Sequence, residues 1–230
     1  MPLLSGHFSD MDRIDRIESI RLDGMLPKVF ENEPIPRSEV WRSDVTFRRG
    51  ERWLIEAASG GGKSSLCAYM FGSRADYLGH LFFNDVDVRG LSIGDWQRLR
   101  RSNIAYLPQE LALFPELTAL ENIRLKALLT DTASEERIRE WMHELGIGSR
   151  ADYPVGRMSI GQQQRVAIIR SICQPFDFIL LDEPVSHLDE ENNRIAARMI
   201  CREADRQGAG IITTSVGNRI FIDGLKTIQL

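Results

Sequence analysis

Apolar positions recur along the chain in two rhythms. From Ile17 to Phe47 they alternate over short stretches: Ile20, Leu22, Val29-Phe30, Val40, Val45 and Phe47. Turn-formers at Pro27 and Pro34-Ile35-Pro36 break the run, which predicts short, mostly antiparallel strands. Trp53 to Ala57 reads as a buried strand, and a Gly-rich loop and a helix from Lys63 to Phe71 follow it. Helical spacing then marks 120–129, 135–145 and 161–173, the last stopping before Pro175. Phe178 to Leu181 is continuously apolar, as in a parallel strand covered on both faces. Residues 192–206 form an amphipathic helix, 210–214 another buried strand and 226–230 an edge strand. Strands alternating with helices imply an α/β fold with a mainly parallel core. The first ~15 residues are polar and irregular, as in a loose terminus.

Composition narrows the class without naming a chemistry. Of 230 residues, 43% are apolar and 27% charged, which is ordinary for a folded globular chain and excludes disorder. With 29 Lys+Arg against 33 Asp+Glu the net charge is −4, so no basic excess points to nucleic acid. No apolar window approaches a membrane span, and Met1 to His7 lacks the features of a signal peptide. Three scattered cysteines, Cys67, Cys173 and Cys201, read as reduced thiols of a cytosolic protein.

The candidate chemistry begins at Ala57-Ala58-Ser59-Gly60-Gly61-Gly62-Lys63-Ser64, followed by Ser65. It fits the phosphate-loop pattern GxxxxGK[ST] except at its first position, where Ala57 replaces glycine and predicts a slightly different turn into the loop. Glycines let the backbone wrap phosphates with N–H groups pointing inward, and the following helix N-terminus adds positive charge. In that reading Lys63 reaches the β- and γ-phosphates and Ser64 ligates Mg²⁺. The strand before and the helix after are what separates this from a chance Gly-rich turn.

A second motif, Phe178-Ile179-Leu180-Leu181-Asp182-Glu183-Pro184, ends an apolar strand in two acids. Asp182 suits an outer-shell Mg²⁺ contact, and Glu183 is placed to polarise the water that attacks the γ-phosphate.

Taken with two further motifs, nearly the whole chain from Ile17 to Leu230 resembles the ATP-binding cassette (ABC) ATPase family. Gln109, in Ile104-Ala105-Tyr106-Leu107-Pro108-Gln109, looks like the Q-loop glutamine, which in that family contacts Mg²⁺ and the attacking water. Met158-Ser159-Ile160-Gly161-Gln162-Gln163-Gln164-Arg165 looks like the signature motif, usually LSGGQ, and Ser186-His187-Leu188-Asp189 like the D-loop, usually SALD. The order and spacing of all five motifs are far more specific than any one, although Ser159 to Gln164 alone also reads as the polar start of a helix.

The resemblance implies a P-loop NTPase fold. It comprises a RecA-like core, an antiparallel β subdomain at about 17–50 and an inserted helical subdomain at about 110–165. It implies ATP and Mg²⁺ as cofactors, and a head-to-tail homodimer that sandwiches two ATP. In such a dimer Ser159, Gly161, Gln162 and Asp189 meet nucleotide held mainly by the other protomer. It also implies separate transmembrane permease subunits, a cytoplasmic position at the inner face of the membrane, and no nucleic-acid partner. The family stacks adenine on an early aromatic residue; Phe30 is the best candidate, with Trp41 behind it, and each equally fits a core position in the small sheet.

Two departures bear on mechanism. Ile160 replaces a signature glycine, and a β-branched residue does not take φ > 0 cheaply. The family's switch histidine would fall in Ile212-Thr213-Thr214-Ser215-Val216, where Ser215 stands instead. His7, His80 and His143 precede the acidic motif, and His187 lies in the D-loop as an interface or surface residue. Ser215 can donate a hydrogen bond to a γ-phosphate but carries no charge. Hydrolysis slower than in members with the histidine is the expectation.

The stretch between Gln109 and Ser159 is too short and lacks the heptads for the long coiled coils of chromosome-type relatives. With one cassette running to Leu230, the expectation is a compact transporter subunit without a regulatory C-terminal domain. Leu113 to Asn122 resembles the lipoprotein-release and macrolide-export branch. In the family a groove near the Q-loop receives the permease's coupling helix; exposed apolar residues near Leu111, Leu113 and Phe114 would suit it. An ATP-dependent regulatory clamp with slow or no turnover is the alternative. A small-molecule kinase is opposed by the signature-like stretch.

Overall fold

The computed structural model describes residues 14–32 and 37–230. Two β-sheets carry the chain. The first is antiparallel, order β2-β1-β4-β5, from β1 (Ser19–Pro27), β2 (Asp44–Arg48), β4 (Tyr77–Phe83) and β5 (Val86–Asp87). The second is wholly parallel, order β6-β7-β8-β3-β9. Its strands are β3 (Arg52–Glu56), β6 (Ile104–Leu107), β7 (Phe178–Asp182), β8 (Gly210–Ser215) and β9 (Lys226–Gln229). The helices are α1 (Lys63–Met70), α2 (Ile93–Ser102), α3 (Ala119–Ala127), α4 (Glu135–Glu144), α5 (Ile160–Ile172) and α6 (Glu190–Gln207). This is the α/β fold with a mainly parallel core that the alternation predicts, in the P-loop NTPase architecture that the resemblance implies.

The parallel strands β7 and β8 each serve two cores. On β7, Ile179 and Leu181 join the cluster built with α3 to α6, while Phe178 and Leu180 join the one shared with α1 and the antiparallel sheet. On β8, Ile211 and Ile212 divide the same way. Successive side chains of a strand point to opposite faces, so a strand buried on both sides must be apolar throughout. Each fully buried Leu or Ile there contributes about 1.5–3 kcal/mol.

Three local expectations change. Val29-Phe30 is not strand: Lys28–Phe30 is a single 3₁₀ turn beginning after Pro27, and the Lys28 N–H donates to Asp76 O. Val40 lies in a loop, and Pro34-Ile35-Pro36 falls outside the described residues. The antiparallel sheet also recruits β4 and β5, well beyond residue 50. β1 pairs with β4 through a bulge at Asp23–Leu26, where Gly24 and Gly79 meet backbone to backbone; a Cβ on Gly79 would lie 2.4 Å from Gly24 C. That approach requires glycine.

Candidate nucleotide site

The parallel sheet delivers its chemistry to one edge. The C-terminal ends of β3, β6, β7 and β8 lead to the phosphate loop, Gln109, Asp182-Glu183 and Ser215, in adjacent strands. Open parallel sheets bind ligands at that edge. Ser59, Gly60, Gly62, Lys63, Ser64, Ser65, Gln109 and Glu183 line one cavity of about 240 Å³.

Lys63 is buried, and its Nζ donates to the carbonyls of Ala57 (3.1 Å) and Ala58 (3.0 Å), 4.0 Å from Glu183 Oε1. Burial pushes its ammonium below the ordinary lysine range, against the opposing pull of the Glu183 and Asp182 carboxylates. The Ser64 hydroxyl donates to Gln109 Oε1 at 3.4 Å, bringing residues from β3–α1 and from the end of β6 together. Ser65 Oγ accepts from Arg74.

Gly62 caps α1 with φ +94° and ψ 13°, a left-handed conformation that glycine takes without strain. Ala57, in place of the pattern's glycine, has no positive φ. Its methyl closes on the loop instead: a Cβ on Gly61 would sit 3.0 Å from Ala57 Cβ.

The acids are held by a residue that pattern reasoning passed over. Thr214 lies opposite Asp182 in the β7–β8 register. Its hydroxyl donates to Asp182 Oδ1 (2.7 Å) and accepts from the Glu183 N–H (3.2 Å). A polar pair ending the apolar run Ile211-Ile212 is the sequence signal for it. Glu183 itself adopts φ +50°, a strained conformation for a non-glycine residue of the kind found at functional sites. Gln164, at the end of the signature-like stretch Ser159 to Gln164, is buried on α5. Its Nε2 donates to Glu183 O (3.3 Å) and its Oε1 accepts from His187 N–H (2.9 Å), tying the signature helix to the acidic loop and the D-loop.

Asp182 is 1% exposed, and its Oδ2 is buried with no protein partner. A buried carboxylate oxygen is costly unless something compensates it. The Asp182 carboxylate, the Ser64 hydroxyl and the Gln109 amide oxygen are the hard oxygen donors that Mg²⁺ prefers, so the residues present fit that ion. No cluster of three or more His, Cys, Asp or Glu able to hold a metal occurs among the described residues.

The remaining candidates lie apart from this cavity. Ser159 and Gln162 form a reciprocal capping box at the start of α5: Ser159 Oγ accepts from Gln162 N–H and Gln162 Oε1 from Ser159 N–H. Ile160 begins the helix without a positive φ and 49% exposed, so the expected backbone strain is absent. At this position the chain is helical, and any side chain fits. Gly161, by contrast, must be small, since a Cβ would lie 2.8 Å from His187 O. Asp189 caps α6, and its carboxyl is held below the usual range by the Asn192 N–H. Ser215 is buried, and its hydroxyl bonds within its own turn, donating to Asn218 O (3.0 Å) and accepting from Gly217 N–H (3.0 Å). Phe30 is partly buried beside Gly62.

Beside the Q-loop, Phe71, Tyr106, Phe114, Leu125, Lys126 and Arg170 border a second cavity of about 260 Å³. Phe114 is 52% exposed, but Leu111 is buried and Leu113 half-buried. Leu111 and Ala112 have φ +59° and +48°, a turn that folds Leu111 inward, and Arg170 clamps both carbonyls (2.6 and 2.8 Å).

A phosphate loop, a paired acid at a neighbouring strand end and a capped signature helix define an ABC-type P-loop ATPase cassette. Residues 41–186 match the ABC transporter family, and the chain belongs to it. Among similar proteins is the lipoprotein-releasing system ATP-binding protein LolD of Syntrophotalea carbinolica, 31% identical over 168 residues, covering 72% of this chain and 74% of the relative. LolD 1 of Caulobacter vibrioides is 32% identical over 187 residues, 79% of each chain. The macrolide export ATP-binding/permease protein MacB of a Shewanella species is 31% identical over 172 residues, 74% of this chain but only 26% of MacB. The dimeric structure of the ABC transporter cassette MJ0796 superposes with a TM-score of 0.73 at 24% identity, covering 85% of this chain and 87% of that one.

Proposed function

We propose that the chain is the ATP-binding and ATP-hydrolysing subunit of an ABC transporter, which closes on a second copy around two ATP and drives separate membrane subunits. The observation that carries this is the single cavity shared by the phosphate loop, Gln109 and Glu183. On binding, Lys63 exchanges the Ala57 and Ala58 carbonyls for phosphate oxygens, and the free N–H groups at the start of α1 complete the cradle. Glu183, oriented by Thr214 and Gln164, accepts the proton of the attacking water. Ser64, Gln109 and Asp182 would hold Mg²⁺, which neutralises charge developing on the phosphates.

The similarity to LolD and to the ATPase part of MacB supports a permease partner at the membrane's cytoplasmic face, in the lipoprotein-release and macrolide-export branch. No helix of the described residues is long and apolar enough to cross a membrane. The Q-loop cavity fits a short amphipathic helix of that chain. Lys126 and Arg170 donate to main-chain carbonyls and, among the described residues, to no carboxylate, so an acidic side chain on the docking helix would complement them.

Steady-state ATPase assay of the isolated protein tests the core reading. Glu183→Gln should lower turnover by about 10²–10³ while leaving ATP binding intact, and an unchanged rate removes Glu183 as the base.

One observation favours the second reading, a slow regulatory clamp. The Ser215 hydroxyl is taken up in its own turn, leaving the γ-phosphate side without a donor from β8. Turnover that stays negligible with ATP-dependent dimers accumulating would select it.

A further inference from the structure

Trp41 lies on the loop leading into β2 and is 4% exposed. Its main chain is pinned: the Trp41 N–H donates to Ser38 Oγ at 2.8 Å. The next residue, Arg42, has φ +61°, and its N–H donates to Met25 O at 2.8 Å. The indole is thereby aimed at the phosphate loop, where Nε1–H donates to Gly61 O at 3.0 Å. Its edge closes on the following residue: a Cβ on Gly62 would stand 3.0 Å from Trp41 Cζ2 and 3.3 Å from Phe30 Cε2.

The direction of that hydrogen bond matters. The peptide between Gly61 and Gly62 is trans. In a planar trans peptide the carbonyl and the N–H point opposite ways. With the Gly61 carbonyl turned toward the indole, the Gly62 N–H faces away from it. Gly62 lines the cavity and Trp41 does not. The Gly62 N–H donates to no protein acceptor among the described residues, so it stands ready for an anion.

We propose that Trp41 is a positioning residue of the phosphate loop. Its indole N–H fixes the Gly61–Gly62 peptide with the amide directed at the phosphates. Trp41, with its donor engaged and its ring buried, recognises no base. The partly exposed Phe30 is left to contact the adenine. Trp41 therefore tunes affinity for every ligand carrying a diphosphate, with or without a nucleoside. This rests on the loop's reading as a phosphate cradle.

Calorimetric titration of the full chain with ATP and with inorganic pyrophosphate, each with magnesium, separates the possibilities. Trp41→Phe keeps the ring and removes the donor. It should raise the dissociation constants of ATP and pyrophosphate by the same factor, between about two- and tenfold, as expected for one hydrogen bond. Phe30→Ala should raise that of ATP alone. An effect of Trp41→Phe on ATP but not on pyrophosphate would make Trp41 a base-stacking residue and overturn the proposal; so would a folded variant with both constants unchanged. If the wild type binds neither ligand, the cradle reading itself fails.

A spectroscopic measurement on the wild type does not depend on the variant folding. The Trp41 indole N–H resonance, assigned through its contacts to Gly61 and Gly62, should be protected from exchange and should shift when pyrophosphate is added. A freely exchanging, unmoved resonance contradicts the proposal.

Discussion

The phosphate-loop region and the signature region are built by opposite means. Around Lys63 the polar groups are joined across long stretches of chain: Lys63 with Glu183, Ser64 with Gln109, Asp182 with Thr214 and Trp41 with Gly61. Lys63, Asp182, Thr214 and Trp41 are buried, and the geometry depends on four strand ends meeting. At the signature and D-loop, Ser159 pairs with Gln162 and Asp189 with Asn192, each three residues away and exposed. One region is finished within the chain. The other presents a helix N-terminus to solvent, a shape that suits completion by a ligand or a second copy. Gln164 and the Gly161–His187 contact are the mechanical links between them.

Several substitutions would sharpen or break this contrast. The largest effect is expected at the finished region. Lys63→Ala should abolish measurable ATP binding and reduce turnover by at least about 10²-fold, as removal of a charge-stabilising group does. Retained binding would mean the cradle works without its cation. Next is the mechanical link: Gly161→Ala forces a Cβ to 2.8 Å from His187 O. It should displace the signature helix and depress turnover about tenfold or more, with ATP affinity of the monomer unchanged, as overpacking typically costs about 1–3 kcal/mol. A parallel loss of ATP affinity would show that the two regions are not separable.

Thr214→Val preserves shape but strips both acids of their hydroxyl partner. Thermal unfolding should register about 1–3 kcal/mol of destabilisation, together with slower hydrolysis, and an unchanged melting point would mean the acids are held by other groups. The smallest effect belongs to Ser159→Ala, which removes one exposed cap worth about 1 kcal/mol. Stability should barely change, whereas turnover should fall most at low protein concentration. A concentration-independent loss argues against completion by a second copy.

Much of this arrangement could be read from residues alone, and the failures are informative. Helices α1 and α3 to α6 and strands β3, β7 and β8 appear within one or two residues of where hydrophobic spacing puts them, because each shows one face, or two, to a core. The hairpin β4–β5 was not legible. Its partner is β1, more than fifty residues earlier, and a Gly–Gly backbone contact governs the register. Val29-Phe30 has strand-forming residues, yet contacts after Pro27 wind it into a turn. Motif spacing predicts the loop, Asp182 and Glu183, the resemblance adds Gln109, and Gln109, Glu183 and most of the loop line one cavity. Thr214 belongs to no motif, Gln164 only closes the signature-like stretch and Trp41 is only a second adenine candidate, since the contacts each makes exist only once distant segments touch.

The sequence by itself determined the class: the phosphate loop, the paired acids and the signature-like stretch are local strings whose chemistry follows from residue type and spacing. It also determined the parallel core, because continuous apolar runs require two covered faces. Only the tertiary structure decided which hydroxyl orients the acids, which indole turns a loop peptide, that Ile160 sits without strain and that Ser215 bonds within its own turn. Local propensities act over a few residues. Hydrogen-bond partners at a site depend on where separate strand ends come to rest, and packing of the two cores sets that.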